Sequence, residues 1–173
     1  LGTSAKIVMP SDAPKIKIWK TQEYGAEVIF YERDEDNREE IGFSIAKEEG
    51  RKLIKPFDDL NVIYGQGTAA LEVMDEVDTK FDMSVVCCSG GGLAAGTGIV
   101  LKNSLSDCQL YTAEPKDWND HEKSFLQNNI VSIKTKKHGM CDALENPQPG
   151  EITFRINSAL NTKGLSANDK YII

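Results

Sequence analysis

The sequence lacks the features that mark membrane-spanning, nucleic-acid-binding or histidine-rich metal proteins. No run approaches the about 18 consecutive apolar residues of a membrane span, so no membrane partner is expected. Because 27 acidic residues outnumber 20 basic ones, the net charge is −7, which disfavours nucleic acid and anionic surfaces as partners. The two histidines, His121 and His138, are too few for a histidine-rich metal site. The hydrophobic residues, 40% of the chain, still suffice for a folded core.

The cysteines form neither a CxxC pair nor a zinc-ligand spacing; they are Cys87, Cys88, Cys108 and Cys141. Two of them, Cys87 and Cys88, are adjacent within an apolar run. We interpret this pair as small buried hydrophobic residues of a reduced protein, which predicts a cytoplasmic location.

The most informative stretch is residues 82–98, which read DMSVVCCSGGGLAAGTG. Residues 83–88 are typical of a strand buried on both faces, and Leu93 begins an apolar pattern at helical spacing. Between them, residues 89–92 are a serine and three glycines. Glycines let the backbone approach an anion, and a helix N-terminus presents free N–H groups, so the stretch predicts a phosphate-binding loop. The alternative is a strand-to-helix turn that needs glycine only for tight packing.

Three related motifs are excluded in this stretch. It contains no Gly-x-Gly-x-x-Gly dinucleotide fingerprint, and no Lys-Ser/Thr pair of a P-loop follows the glycines. Cys87 stands where the Gly-x-Ser-x-Gly elbow of hydrolases requires its first glycine.

Strand and helix patterns alternate along the chain, which predicts an α/β fold with parallel sheets and flanking helices. The predicted strands are residues 5–9, 26–31, 52–57, 83–88 and 109–113, and the helices between them include residues 38–49, which Gly50 ends. Ser11 or Asp12 is expected to cap the first helix. Residues 152–160 predict a later helix, and Ser166 is expected to cap another at residues 168–173. The abrupt first strand indicates that the chain is a piece of a larger protein.

Several short segments occur in a family-specific order: residues 7–10 with 13–15, 24–28, 56–59, 63–68 with Glu72, 89–93, 113–115 and 149–154. Together they resemble the pyridoxal-phosphate-dependent threonine/serine dehydratases and serine racemases, including hydroxyaspartate ammonia-lyases. The resemblance implies the tryptophan-synthase-β-like fold (pyridoxal-phosphate fold type II), present incompletely. It implies that residues 1–60 are part of a small lobe and residues 61–173 part of the large, cofactor-binding lobe. Residues 66–68 are interpreted as structural.

The resemblance also implies ligands for the glycine loop and for a cation. In the family the loop holds the cofactor phosphate, here through Ser89, Gly90, Gly91 and Gly92, with Leu93 opening the helix. Ser89 replaces the usual first glycine and adds a hydroxyl donor.

A divalent cation is bound in racemases and many dehydratases just beyond the next strand. The matching positions are Glu114, the main-chain carbonyl of Trp118, and Asp120, which suit Mg²⁺ or Ca²⁺. Asn119 stands where the family often has a second aspartate. The alternative is that Glu114 ends a strand and Asp120 caps a helix.

Two residues match positions near the family's substrate. Arg38 corresponds to a position near the substrate carboxylate in racemases, where a bidentate contact would suit it; the alternative is a surface ion pair. Asp142 matches an aspartate that lines the active site, although Ala143 replaces the glycine that usually follows.

No catalytic residue is assigned. The Schiff-base lysine of the family lies in a Ser-x-Lys-type motif upstream of the first matching segment, and no lysine here has its surroundings. The ring-gripping Ser-Gly-Asn-His loop and the partner of the pyridine nitrogen are likewise not among these residues. We therefore expect the chain as given to be inactive.

The function that the resemblance implies is removal of water from threonine, serine or 3-hydroxyaspartate, which gives a 2-oxo acid and ammonia. The expected partner is a small amino-acid substrate, and the full-length protein is expected to be a homodimer. Two alternatives remain open: a same-fold β-replacement enzyme resembling cysteine synthase, and a noncatalytic module that binds a phosphate ligand.

Overall fold

The structure is a computed structural model that describes residues 2–33, 35–78, 80–135 and 137–172. The chain divides into two compact units, Leu1–Ile54 and Lys55–Ile173. Within the described residues, no helix is both long enough and apolar enough to cross a membrane.

The first unit contains two parallel strands and two helices. Strand β1 (Lys6–Pro10) leads into helix α1 (Lys15–Glu23), followed by β2 (Glu27–Tyr31) and α2 (Arg38–Glu48). The strands pair in parallel with Val8 opposite Ile29. Gly50, at φ +64°, follows the end of α2 as predicted, because glycine readily adopts this left-handed conformation.

The second unit contains a three-stranded parallel sheet in the order β3–β4–β5. Its elements are α3 (Leu60–Glu76), β3 (Met83–Cys87), α4 (Gly92–Ser104), β4 (Gln109–Pro115), α5 (Asp120–Gln127), α6 (Glu151–Ala159) and β5 (Lys163–Ala167). Short 3-10 helices lie at Lys116–Trp118, Asp142–Leu144 and Asp169–Tyr171. This arrangement agrees with the predicted α/β class.

The core of the second unit is built around α4, whose buried residues are mostly glycine and alanine. At its crossing with α3 the two backbones approach closely. A methyl group on Gly96 would lie 2.5 Å from the main-chain nitrogen of Gly67 and would overlap the Ile63 carbonyl oxygen. Gly67, which was interpreted as structural, therefore belongs to this helix crossing.

Four local predictions were wrong. Residues 52–57 do not form a strand: no neighbouring strand pairs with them in the described structure, and Pro56 lacks an N–H donor. Neither Ser11 nor Asp12 caps α1, because the helix begins after Pro14 and Asp12 binds Arg33 at 2.8 Å. Ser166 lies in β5, a strand that the sequence analysis missed because its KGLSA sequence is weakly apolar.

The fourth error concerns burial of β3. Its residues alternate between exposed and partly buried, with Met83 57% and Val85 54% exposed, so only one face of the strand is covered. The same alternation exposes Cys87 while Cys88, just past the strand, is buried. Cys88 is therefore the small buried residue that was predicted, and Cys87 is not.

Candidate functional site

The glycine loop connects the end of β3 to the start of α4, as predicted. Gly91 is the residue that precedes α4 and has φ +91°, a conformation that side chains rarely allow. A methyl group there would lie 2.6 Å from Cε1 of His121. Glycine is thus required at this position by both the backbone and its neighbour.

Phe57, which precedes α3 in the chain, packs directly against the loop. A methyl group on Gly90 would overlap the Phe57 ring, and one on Gly92 would lie 3.1 Å from Cβ of Phe57. The alternative interpretation, that glycines serve tight packing, is therefore true of this loop. Tight packing does not account for the hydrogen bonding of the loop, because the loop carbonyls are bound within the protein whereas its amides are largely unpaired.

The carbonyl oxygens of the loop are bound within the protein. The Gly90 oxygen accepts hydrogen bonds from the Thr153 hydroxyl at 2.6 Å and from the Gly150 amide at 3.3 Å. The Gly91 oxygen accepts one from Nδ2 of Asn157 at 3.2 Å. Both side-chain donors belong to α6, so this helix holds one side of the loop.

The amides of the loop are largely unpaired. Among the described residues, no acceptor binds the main-chain N–H groups of Ser89, Gly90, Gly92 or Leu93. The first turn of α4 contains no acidic side chain that could use them. Unpaired amides at the N-terminus of a helix carry partial positive charge, so the loop has the donor set of an anion-binding site.

Helix α6 is itself held by a distant carboxylate. Oδ1 of Asp58 accepts hydrogen bonds from the amides of Ile152 at 2.8 Å and Thr153 at 3.2 Å, so it caps the helix N-terminus. Its neighbour Asp59 caps α3 by accepting from the Asn61 amide at 2.8 Å. Adjacent aspartates thus begin two helices of the unit that contains the loop.

Two buried carboxyl groups lie beyond β4. Glu114 is 3% exposed and accepts hydrogen bonds from the amides of His121 at 2.8 Å and Glu122 at 2.7 Å. Asp120, at the start of α5, is fully buried, and neither of its oxygens has a hydrogen-bond partner among the described residues.

Burial raises the pKa of both carboxyl groups, to about 7 for Glu114 and about 8 for Asp120. The charge of Glu114 raises the pKa of Asp120 further. Because only Glu114 receives amide hydrogen bonds, it is the better stabilised anion, and Asp120 retains a proton to higher pH. A buried acidic pair of this kind is stabilised by a cation.

The comparisons with known proteins identify the family to which the chain belongs. All 173 residues match the family described as "Pyridoxal-phosphate dependent enzyme". The chain belongs to this family of pyridoxal-phosphate-dependent enzymes. The resemblance and the fold class that the sequence predicted are thereby confirmed, and the unpaired amides of the loop fit the phosphate of the family's cofactor.

Similar proteins include both racemases and lyases. The chain is 38% identical over 173 residues to a serine racemase of Schizosaccharomyces pombe, covering all of this chain and 53% of that protein. It is 40% identical over 156 residues to an L-threo-3-hydroxyaspartate ammonia-lyase of Saccharomyces cerevisiae, covering 90% and 47%. The structure of maize serine racemase matches with a TM-score of 0.90 at 29% identity, covering 99% and 51%. The chain thus spans about half the length of its curated relatives.

The predicted cation ligands lie near the carboxyl ends of the sheet strands. Glu114 and Asp120 flank the 3-10 helix that contains Trp118, whose Nε1 donates to the Lys137 carbonyl at 2.8 Å. No group of three or more His, Cys, Asp or Glu side chains within the described ranges could hold a metal ion. A cation here would therefore need main-chain oxygen, and the unpartnered oxygens of buried Asp120 fit a hard ion.

His121 is the residue that the sequence analysis missed. It is fully buried, contacts the loop at Gly91, and neither ring nitrogen has a hydrogen-bond partner among the described residues. Burial lowers its pKa to about 4, against the opposing effect of main-chain groups of Ser89 and Gly90. The imidazole is neutral at pH 7. The sequence did contain one signal for His121: it directly follows Asp120, in a chain with only two histidines.

The two predicted substrate residues lie in different units of the structure. Arg38 is the first residue of α2, in the first unit, and Asn37 caps that helix. Asp142 begins a 3-10 helix of the second unit. Their roles toward substrate remain predictions.

Two lysines, Lys6 and Lys134, follow a serine by two positions, a spacing shared with the family's motif, but neither has the surroundings of that motif. Lys6 forms ion pairs with Glu49 at 2.5 Å and Glu27 at 3.2 Å, and these contacts raise its pKa, Glu49 most. Lys134 is exposed. Because a nucleophilic lysine needs a lowered pKa, Lys6 is unsuited to that role.

Proposed function

We propose that the protein is a pyridoxal-phosphate-dependent ammonia-lyase that removes water from threonine, serine or 3-hydroxyaspartate. The products would be a 2-oxo acid and ammonia. One observation carries the proposal: the loop carbonyls are bound to α6 while the amides of Ser89, Gly90, Gly92 and Leu93 are unpaired. Family membership and the lyases among the relatives support it.

The glycine loop would bind the cofactor phosphate through these amides and the Ser89 hydroxyl. Pyridoxal phosphate, when bound, supplies an electron sink for the carbanion chemistry of this family. Phe57 and the neutral ring of His121 pack against the loop, Phe57 at Gly90 and Gly92 and His121 at Gly91.

The acidic pair would hold a divalent cation, Mg²⁺ or Ca²⁺, together with the Trp118 carbonyl. Glu114 and Asp120 flank the segment that joins β4 to α5. The same segment leads into His121, which contacts the loop. The cation would therefore serve structure: it would neutralise the pair and fix this segment. In this family a lysine transfers the proton. The 173 residues contain no lysine within that motif, so we expect them alone to be inactive.

Serine racemisation is the second candidate. The identity of 38% over the whole chain to a serine racemase favours it. Both reactions begin with loss of the α-proton, and they differ in whether the proton returns or the hydroxyl leaves. The same assay therefore serves both candidates. We further propose that the full-length protein is a homodimer, which its mass in solution would test.

The test uses the full-length protein that contains this sequence, supplied with pyridoxal phosphate and Mg²⁺. L-threonine, L-serine and L-threo-3-hydroxyaspartate are offered in turn, and 2-oxo acids, ammonia and D-serine are measured. We expect 2-oxo acid and ammonia in equal amounts. D-serine without 2-oxo acid would favour the racemase. Activity confined to replacing the β-substituent of an activated serine by sulfide would contradict both.

A further inference from the structure

Two polar residues of α6 face the glycine loop. Thr153 and Asn157 are four positions apart, so they lie on the same side of the helix, and both are fully buried. Burying two polar side chains costs free energy unless they form hydrogen bonds. Here both donate to loop carbonyls, Thr153 to Gly90 and Asn157 to Gly91.

The planarity of the peptide group gives these two bonds a further consequence. The carbonyl of one residue and the amide of the next belong to one rigid plane and point in opposite directions. The Gly91 carbonyl accepts a hydrogen bond from the Ala95 amide of α4 at 2.9 Å, and Asn157 adds a second bond that directs the Gly92 amide, one of the unpaired donors, away from α6. When Thr153 binds the Gly90 carbonyl, it fixes the plane that precedes Gly91, whose φ is +91°.

From these contacts we infer that Thr153 and Asn157 are positioning residues for phosphate recognition, an inference that rests on the proposed function. They touch no anion themselves. They hold the peptide planes of the loop so that its amides converge on one side. The Asp58 cap and the bond from the Gly150 amide to the Gly90 oxygen keep α6 in place, so the orientation is set before any ligand binds.

The test measures phosphate selectivity rather than catalysis. Pyridoxine 5′-phosphate carries the phosphate but no aldehyde, so it cannot form adducts with lysines. The ratio of the dissociation constants of pyridoxine and pyridoxine 5′-phosphate, from calorimetry, reports what the loop contributes. Thr153→Val and Asn157→Leu each remove a donor while keeping the number and branching of the side-chain heavy atoms. Thr153→Ser keeps the hydroxyl.

We expect Thr153→Val and Asn157→Leu each to lower the selectivity ratio about tenfold, and Thr153→Ser to keep it. The matched control is Ser124→Ala, which removes another fully buried hydroxyl that binds a main-chain group, the Val131 amide at 2.9 Å. It should lower the melting temperature without changing the ratio. If Thr153→Val does not fold, the selectivity ratios of Asn157→Leu and Thr153→Ser test the positioning role instead.

The outcomes separate this inference from the proposed function. A wild-type protein that does not prefer the phosphorylated compound would contradict the phosphate site itself. A selective wild-type protein whose Thr153→Val and Asn157→Leu variants remain equally selective would contradict only the positioning role. A lower melting temperature with an unchanged selectivity ratio would also contradict the positioning role, because a purely structural role predicts this result.

Discussion

Asp58 accepts a hydrogen bond of 2.8 Å from the amide of Ile152, a residue 94 positions later in the chain. This contact fixes the N-terminus of α6, whose side chains hold the loop carbonyls. Both residues lie in the second compact unit, Lys55–Ile173; the sequence analysis placed the boundary between residues 60 and 61. Asp58 and Phe57 belong to the same unit as the loop, and Phe57 packs against Gly90 and Gly92.

The first prediction concerns this cap. Asp58→Ala should lower the free energy of unfolding by about 1 kcal/mol, because two amides of α6 lose their acceptor. It should also weaken binding of pyridoxine 5′-phosphate, since α6 holds the loop. Urea unfolding and calorimetry measure the two effects. Asp58→Asn keeps an acceptor oxygen and should restore most of both.

Asp59→Ala is the matched control, because Asp59 caps α3 in the same way. It should cost a similar free energy of unfolding and leave phosphate affinity unchanged. Equal loss of phosphate affinity in the Asp58 and Asp59 variants would show that general destabilisation, and not the α6 contact, weakens binding.

The second prediction concerns the crossing of α3 and α4. Gly96→Ala should lower the free energy of unfolding by at least about 2 kcal/mol, because its methyl group would meet main-chain atoms of Ile63 and Gly67. Backbone atoms of two helices cannot move aside as a side chain can. Thermal unfolding measures the change.

Gly65→Ala provides the comparison within α3. A methyl group there meets nothing within 4 Å, and alanine favours helix, so this variant should gain about 0.5–1 kcal/mol. A Gly96→Ala protein as stable as the wild type would mean that the two helices are not in backbone contact.

Structural features encoded by neighbouring residues could be predicted from the sequence, whereas contacts between distant residues could not. Strand β3, the glycine loop and α4 were predicted because an apolar run, glycines and a helical pattern follow one another directly. The Asp58 cap and the position of His121 against Gly91 were missed, because each joins residues that are far apart in sequence. The exposed face of β3 was missed for a related reason. An apolar run indicates a strand, but burial of its second face depends on what other elements cover.

The third prediction is a pH dependence of stability. The pKa values of Glu114 and Asp120 are raised from 4.5 and 3.8 to about 7 and about 8, so the folded state keeps protons that the unfolded chain has released. These groups make the free energy of unfolding fall as pH rises toward 8. His121 has the opposite effect, but only between its folded pKa of about 4 and its ordinary value of 6.5. Because His121 offsets only one of the two carboxyl groups below pH 6.5, a smaller net fall is already expected there, and it steepens between about pH 6.5 and 8, where it reaches at most about 2 kcal/mol per carboxyl group.

Millimolar Ca²⁺ or Mg²⁺ should remove this fall, because a cation stabilises the ionised pair by mass action. Asp120→Asn should lose the response to the cation and the part of the pH dependence that Asp120 contributes, while buried Glu114 keeps its own part. Asp117→Asn changes an exposed carboxylate of the neighbouring 3-10 helix and should keep both. Urea unfolding at pH 6.5 and 8, with and without the cation, measures all three proteins. A cation effect that persists in Asp120→Asn would place the bound ion elsewhere.

The last prediction is that the 173 residues by themselves carry no dehydratase activity and no specifically modified lysine. The chemistry of the family uses one lysine both to hold the cofactor and to move a proton, and removing such a group typically costs about 10²–10⁴ in the proton-transfer step. Lys6 is held protonated by Glu49 and Glu27, so it is a poor replacement. The chain is incubated with pyridoxal phosphate, reduced with borohydride and mapped by peptide, beside an assay for 2-oxobutanoate from threonine. The full-length catabolic L-threonine dehydratase of Escherichia coli, treated identically, is the positive control. We expect scattered labelling well below one equivalent and no product. One lysine labelled in full, with 2-oxobutanoate formed, would show instead that these residues contain a relocated catalytic lysine, because exposed lysines react with the aldehyde unselectively and give no turnover.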